Sequence, residues 1–449
     1  MPENSPQAPL ERGAGTFTMK TKTVRAVPPG VLALPSAGTP AYLFFLAIIF
    51  WVLLFSRRPD VLLHAELCGE EGWFWYPQAY TRGLASLLIP EGGYLQSFSR
   101  LVAIAAQLVP LHTVPTIFAA VGLTVQVAPA LFLVSNRMAL AWPNPIARLL
   151  FAVLLLSLPN AFEVYGNLTD AHWHLALLAF LVLVSSPPAG WIGKLLDILV
   201  LLVSGLSGPF SILLIPVALW QAIEQRRPID LWRLGVLSAT ALVQIGFILG
   251  SSDSRSTAPL AAGPRMLARI VALQILIGPE LGYRSMDSIL RSPFWQNNVL
   301  PLAVAAAGTA ITAACLLKGP RLLRQFALFA ALVFAAGLAR PQVSLTQPQW
   351  PLMALPLHGT RYFVYPMLVW VGVLFLLVSR RGWFARIPGI ALLALMAVWA
   401  IPGDWHGLDL PPSDFVARAR AFEAAAPGTR MEFPVYPPFG PMILVKKAD

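Results

Sequence analysis

The chain has 449 residues, 57% of them hydrophobic and 12% charged, with a mean hydropathy of +0.67. Soluble globular chains carry about 25% charged residues, so the composition excludes a set of water-soluble domains and describes one integrated membrane domain. The net charge of +11 does not point to nucleic acid, because Lys and Arg stand singly or in pairs between apolar blocks rather than in a run or stripe.

Residues 1–38 are rich in Pro, Gly, Ser and Thr, carry Arg12, Lys20, Lys22 and Arg25, and show no apolar period. They are expected to form a disordered cytoplasmic tail. The first apolar block, 41–55, lies too far along the chain for a standard cleaved signal and reads as an uncleaved start-transfer helix. Further blocks centre on 115–135, 146–159, 171–186, 194–206, 209–223, 231–250, 298–317, 325–339, 361–379 and 387–402. Together they predict an all-α polytopic membrane protein of about eleven transmembrane helices. The stretch 96–110, QSFSRLVAIAAQLVP, is short, contains Arg100 and ends at Pro110, and is expected to lie in the interface or re-enter rather than span.

Positive charge sets the sides, since short cytoplasmic loops carry excess Lys and Arg. With 96–110 not spanning, the cytoplasmic loops hold Arg137 and Arg148; Lys194; Arg226, Arg227 and Arg233; Lys318, Arg321 and Arg324; and Arg380, Arg381 and Arg386. The opposite side receives the loops 57–112, 251–297 and 340–360, and every acidic residue except Glu3, Glu11, Asp197, Glu224 and Asp230. Arg57 and Arg58 run against this assignment. The segment Ser204-Gly-Leu-Ser-Gly-Pro209 interrupts one block as a turn between two short helices or a discontinuous helix, with the turn favoured because Pro and Gly are common at membrane helix ends. The membrane domain thus covers 39–402. After it, 403–449 reads as a small outer α+β cap: a short amphipathic helix over 414–426, then a hairpin of 429–435 with 441–446 around Pro437-Pro438-Phe439-Gly440. Cys68 and Cys315 make no disulfide framework and no metal-type spacing.

Chemistry-bearing residues concentrate on the outer side. Glu66, Glu70 and Glu71 precede the aromatic run Trp73-Phe74-Trp75-Tyr76. Carboxylates beside apolar surroundings take raised pKa values, which suits a general base or a divalent-ion ligand; solvated loop acids and an interfacial aromatic belt are the plainer alternative. Glu163, Asn167, Asp170, His172 and His174 fall together at the mouth of an apolar helix. Asp170 and His174 can share a helix face, whereas a His172/His174 metal pair would fit a strand better than a helix start, and Thr169 or Asp170 can serve simply as N-cap. Arg100, Arg265, Arg269 and Arg361, the last followed by Tyr362, supply outer cations. An Arg at a helix mouth suits a phosphate or pyrophosphate headgroup, with snorkelling to lipid phosphates as the alternative. No Gly-rich phosphate loop and no nucleophilic triad signature occurs.

At these residues the chain resembles the GT-C superfamily of membrane glycosyltransferases and, more closely, a poorly characterised group of bacterial integral membrane proteins related to it. The resembling pieces are Cys68-Gly-Glu70-Glu71-Gly-Trp-Phe-Trp-Tyr76, Gly93-Tyr94-Leu95 with Arg100, Glu163 through Trp173, Arg361-Tyr362-Phe363 and Pro434-Val-Tyr-Pro-Pro-Phe-Gly-Pro-Met442, spread over most of 60–445. The resemblance implies a GT-C-like enzyme of the bacterial cytoplasmic membrane, with its N-terminus cytoplasmic and its C-terminus outside. Its donor would be a polyprenyl-phosphate-linked sugar and its acceptor a glycan or lipid, in contact with membrane lipid and with no nucleic acid. Carried over, Glu71 or Glu70 is the base and Asp170 a second acidic catalytic residue. Arg361, with Arg100 and Tyr362, contacts the lipid phosphate, and a divalent metal ion is an optional aid to the leaving group. The group commonly has Glu-Asp where this chain has Glu70-Glu71, which leaves the choice between the two open. Fold alone does not settle function: a lipid-linked-glycan transporter or flippase, which expects charges deep in discontinuous helices, and an envelope assembly partner acting through the outer tail are the alternatives.

Overall fold

The first apolar block becomes helix Pro40–Arg57. Thr39 starts it, its Oγ1 accepting the Tyr42 N–H at 3.3 Å, with Pro40 at the first helical position. Asn144 starts Pro145–Ser157 in the same way, its Oδ1 taking the N–H groups of Ile146 and Ala147. The computed structural model describes residues 39–251, 256–407 and 411–448 and is 71% helical; the tail expected over 1–38 lies outside the described residues. Among the described residues, seven helices are long and apolar enough to cross a membrane: Pro40–Arg57, Leu111–Val134, Pro228–Gly250, Val299–Leu317, Arg321–Ala339, Thr360–Val378 and Trp383–Gly403. Shorter apolar helices occupy Ser97–Leu108, Pro145–Ser157, Ala171–Val184 and Phe210–Gln225. The sequence blocks predicted more full-length spans. One reason is that 158–170 runs as buried irregular chain, so the block at 171–186 yields only fourteen helical residues.

Burial sorts the helices into layers. Ala171–Val184 has no polar face beyond His172 and His174 in its first turn, and every one of its residues is buried, as such a helix must be. It packs against Leu111–Val134, Gly190–Gly205 and Phe210–Gln225. The peripheral helices are the reverse: Val299–Leu317 and Trp383–Gly403 are only 22% and 17% buried, and they and Pro40–Arg57 expose Leu302, Phe384, Val398, Phe44 and Val52. So wide an apolar surface suits a lipid belt rather than water. The chain has the make-up of a multi-pass membrane protein.

Polar groups collect at the two ends of Ala171–Val184, about 20 Å apart. At its C-terminal end Asp197 accepts from Arg137 at 2.5 Å and from Arg233 at 2.7 Å, and Arg137 also reaches the Ser185 hydroxyl. Arg227 pairs with Asp230 there. At the other end Glu163 pairs with Arg361, and Asp404 accepts the N–H groups of Asn160 and Tyr283 at 3.0 and 2.9 Å. Residues that the charge rule put on one side therefore meet at one end. Arg57 and Arg58 are engaged internally. Arg57 donates to the carbonyls of Leu156 and Leu158, closing the C-terminus of Pro145–Ser157, and Arg58 clasps Asp60 with two bonds of 3.0 Å.

Ser97–Ala105 and the 3-10 turn Ala106–Leu108 rise about 18 Å, short of the roughly 30 Å hydrocarbon core. They lie against the turn after Gly190–Gly205: Ser207 Oγ accepts the Phe98 N–H at 2.9 Å and the Gly208 N–H donates to Leu95 at 2.8 Å. Buried Gln244 accepts from the Leu95 N–H and donates to the carbonyls of Gly205 and Gly208. The 204–209 break is thus a turn between two helices, with Gly208 at φ +104°. The C-terminal cap consists of helix Phe415–Ala424 and antiparallel strands Arg430–Phe433 and Met442–Val445, with Arg430 opposite Val445. Phe415, Phe422 and Phe433 form one core with Leu67, Trp75 and Tyr76 of the segment after the first long helix, and Glu423 ties to His112 at 3.0 Å.

Candidate functional site

Glu70 caps, and Glu71 opens, a short π-helical segment, Glu71–Trp75. One residue on a helix turns the side chain by about 100°, so the two carboxylates part. Glu71 is 2% exposed; its Oε1 accepts the Leu168 N–H at 2.6 Å and its Oε2 the Cys68 N–H at 2.8 Å. Burial raises its pKa to about 7, against the pull of those backbone donors. Both oxygens are committed to backbone, so Glu71 positions the site. Glu70 is half-buried. It enters no hydrogen bond or ion pair among the described residues, yet its charge acts on Glu71, Glu91, Asp170 and Arg361.

Asp170 caps the start of the central helix. The turn before it is held from two sides. Gln126 donates to the Asn167 carbonyl and accepts the Gly166 N–H, while Asn167 Oδ1 takes the Asp170 N–H at 2.7 Å. Burial first, then the charges of Glu70 and Glu71, drive the Asp170 pKa well above the usual carboxylate range. Burial thus favours the neutral form of the Asp170 carboxyl.

Arg361 is less free than its helix-mouth position suggests. Its guanidinium pairs with Glu163 Oε1 and donates to the Gln342 carbonyl at 2.6 Å, while Glu163 Oε2 takes the Arg361 N–H at 3.0 Å. The guanidinium also lies 4.8 Å from the Tyr362 ring centre, and Tyr362 Oη accepts the Gln342 N–H at 3.0 Å. Arg361 therefore braces the 342 segment. Arg100 departs further from its expected role: it is 0% exposed, stacks 4.7 Å from the Trp75 ring and donates to Gln78 at 2.6 Å. In this conformation it is enclosed by protein and does not reach a headgroup.

His172, two residues after Asp170, and Tyr362, next to Arg361, line a cavity of about 80 Å³ whose walls also include Tyr94, Trp173, Arg340 and Gln342. His172 Nδ1 bonds the Thr169 carbonyl at 2.9 Å; a carbonyl only accepts, so Nδ1 carries the proton and Nε2 is left as an acceptor. Sequence reasoning passed over Arg340 and Gln342. The available signal was Arg340 itself, a cation directly after an apolar helix on the side that the charge rule leaves poor in cations.

The charge of Glu70 thus reaches Glu71, Asp170 and Arg361, with Tyr362 at the cavity wall and Arg100 apart. A divalent ion finds no ready ligand set. Glu71 spends both oxygens on backbone, His174 Nε2 is bonded to the Val164 carbonyl, and no group of three His, Cys, Asp or Glu side chains suited to a metal occurs among the described residues. Arg265 and Arg269 lie elsewhere, Arg269 bonding Asn298 Oδ1 and the carbonyls of Trp295 and Gln296. No protein-family model matches the chain, and comparison with curated proteins gives no match.

Proposed function

We propose that this chain is a GT-C-type glycosyltransferase that moves a sugar from a polyprenyl-phosphate donor to a glycan or lipid acceptor at the outer face of the bacterial cytoplasmic membrane. The observation that carries the proposal is the charge of Glu70 acting on buried Asp170, which lies two residues ahead of His172, a wall residue of an aromatic cavity that also includes Arg340. Eleven helices cross the membrane in this reading, the seven long ones joined by Pro145–Ser157, Ala171–Val184, Gly190–Gly205 and Phe210–Gln225. The Arg137 end faces the cytoplasm, in keeping with its basic loops.

Glu70 takes the proton from the acceptor hydroxyl as its oxygen attacks the anomeric carbon, and the bond from that carbon to the phosphate oxygen breaks, releasing polyprenyl phosphate with the electron pair. Arg340 meets the phosphate charge, while Tyr94 and Trp173 line the sugar. Asp170, whose neutral form burial favours, donates a hydrogen bond to the donor. The test is conversion of labelled polyprenyl-phosphate monosaccharides to polyprenyl phosphate by the purified chain in nanodiscs, with envelope extract as acceptor. Wild type turns over at least one donor, and Glu70→Gln is slower by about 100-fold or more. Equal rates would remove Glu70 as base, and no turnover of any donor would remove the transferase.

A further inference from the structure

We propose that a second cavity, sharing no wall residue with the first, holds an acyl chain of a membrane glycerolipid whose ester carbonyl accepts a hydrogen bond from Glu280. The cavity measures about 330 Å³ and is walled by Leu276, Glu280, Val304, Gly308, Trp370 and Leu392 among others, a size within the range of roughly 300–1,000 Å³ typical of small-ligand sites. It lies between Val299–Leu317 and Trp383–Gly403, two of the least buried helices, so lipid is its neighbour.

Glu280 is the only titratable group in these otherwise apolar walls. It is 4% exposed. Its Oε1 accepts the Trp370 Nε1–H at 3.0 Å, and its Oε2 has no partner among the described residues. An ionised carboxylate here would be a buried charge without a counter-ion, so the neutral acid is the form these walls support. Because Trp370 donates to Oε1, the proton sits on Oε2, and a buried O–H calls for an acceptor. The occupant must then combine a hydrocarbon chain with an uncharged oxygen acceptor, which is the chemistry of an acyl ester. Depth agrees. Gly278 and Gly282, on either side of Glu280, abut Asn160 and Asp404 of the polar end, so the carboxyl lies just below the polar boundary where lipid esters sit. This site is independent of the transfer reaction.

The test uses the full chain in phosphatidylcholine nanodiscs containing phosphatidylcholine with a photoactivatable acyl chain, either diester or diether, and maps the labelled peptides. Diester lipid labels the 276–311 segment about fivefold more than Pro40–Arg57, and the diether form loses about that factor, as expected for one hydrogen bond. Glu280→Gln, which keeps an N–H donor at the site, retains the labelling; Glu280→Leu drops it to the diether level. Equal labelling by the two lipids in the wild-type chain, which needs no variant to fold, would overturn the proposal. So would labelling of 276–311 no stronger than that of Pro40–Arg57.

Discussion

Glu71 holds the Leu168 N–H at 2.6 Å across a sequence separation of 97 residues, and with its other oxygen holds the Cys68 N–H at 2.8 Å. One carboxylate therefore fixes both the start of the interfacial helix that carries Glu70 and the buried turn that ends in Asp170. Gln at this position keeps one acceptor but turns an amide N–H toward the other backbone donor. Glu71→Gln is expected to destabilise the fold by about 1–3 kcal/mol, seen as a lower Tm in detergent. Glu70→Gln, which loses no hydrogen bond among the described residues, is expected to leave Tm within about 0.5 kcal/mol of wild type. Equal Tm shifts for the two variants would refute this division of labour.

Glu71 also makes stability depend on pH. Its folded pKa of about 7 lies above the ordinary value of about 4.3, because burial penalises the charged form. The stability it contributes is then fully present below about pH 4 and is lost as pH rises through about 7, on the order of 3 kcal/mol. Asp170, raised in the same direction, adds to that slope. Thermal melts between pH 5 and 8 should show wild type weakening with rising pH and Glu71→Gln following a shallower course. Parallel curves would show that Glu71 does not titrate in this window.

Gly122 in Leu111–Val134 has a tightly restricted neighbourhood. A Cβ there would fall 2.5 Å from the Asn167 carbonyl oxygen and 2.7 Å from its carbon, and neither can move without shifting the Leu168 N–H held by Glu71. Gly122→Ala is accordingly expected to cost about 1–3 kcal/mol as overpacking, read as a lower Tm in detergent. Gly235, whose added Cβ meets nothing within 4 Å, is the control: as a mid-helix glycine, Gly235→Ala should be neutral or stabilising by up to about 1 kcal/mol.

The layers of the molecule were legible because lipid reads composition directly. A block such as 171–184, apolar but for His172 and His174 in its first turn, becomes the buried centre, and a Pro-Pro-Phe-Gly run between two short β-rich stretches becomes the turn of a hairpin. Which end a residue occupies was legible too, since Glu71, Glu163, Asp170 and Arg361 all flank apolar blocks on the same side. Rotation about helix axes and partner choice were not. Adjacent Glu70 and Glu71 carry the same chemistry in sequence, and only the bonds to Cys68 and Leu168 separate the carboxylate committed to backbone from the one that is not. Arg361 looked like a free phosphate contact because nothing in periodicity links it to Glu163, 198 residues away. Arg57 looked like a violation of the charge rule because its task, closing the C-terminus of Pro145–Ser157, exists only once two distant helices pack.

The opposite end offers the sharpest test of how such a chain keeps charge inside. Asp197, 1% exposed, lies between Arg137 and an Arg233 that is also 1% exposed. Asp230 is the other nearby anion, 3.7 Å from Arg233 and already paired at 2.7 Å with Arg227. Asp197→Asn leaves the Arg233 guanidinium buried with a weakened counter-charge, and breaking a buried pair from one side costs about 3–5 kcal/mol. Arg137, whose side chain is 24% exposed in the pair, can relax toward water and also bonds Ser185 and Ser186, so Arg137→Gln should cost about 1–2 kcal/mol. The two losses should not add: with Asp197 already Asn, removing the Arg137 charge lowers the repulsion on Arg233 and recovers part of the stability. Melting curves of the two single variants and the double variant measure that coupling, and strict additivity would show that the three charges do not act as one cluster.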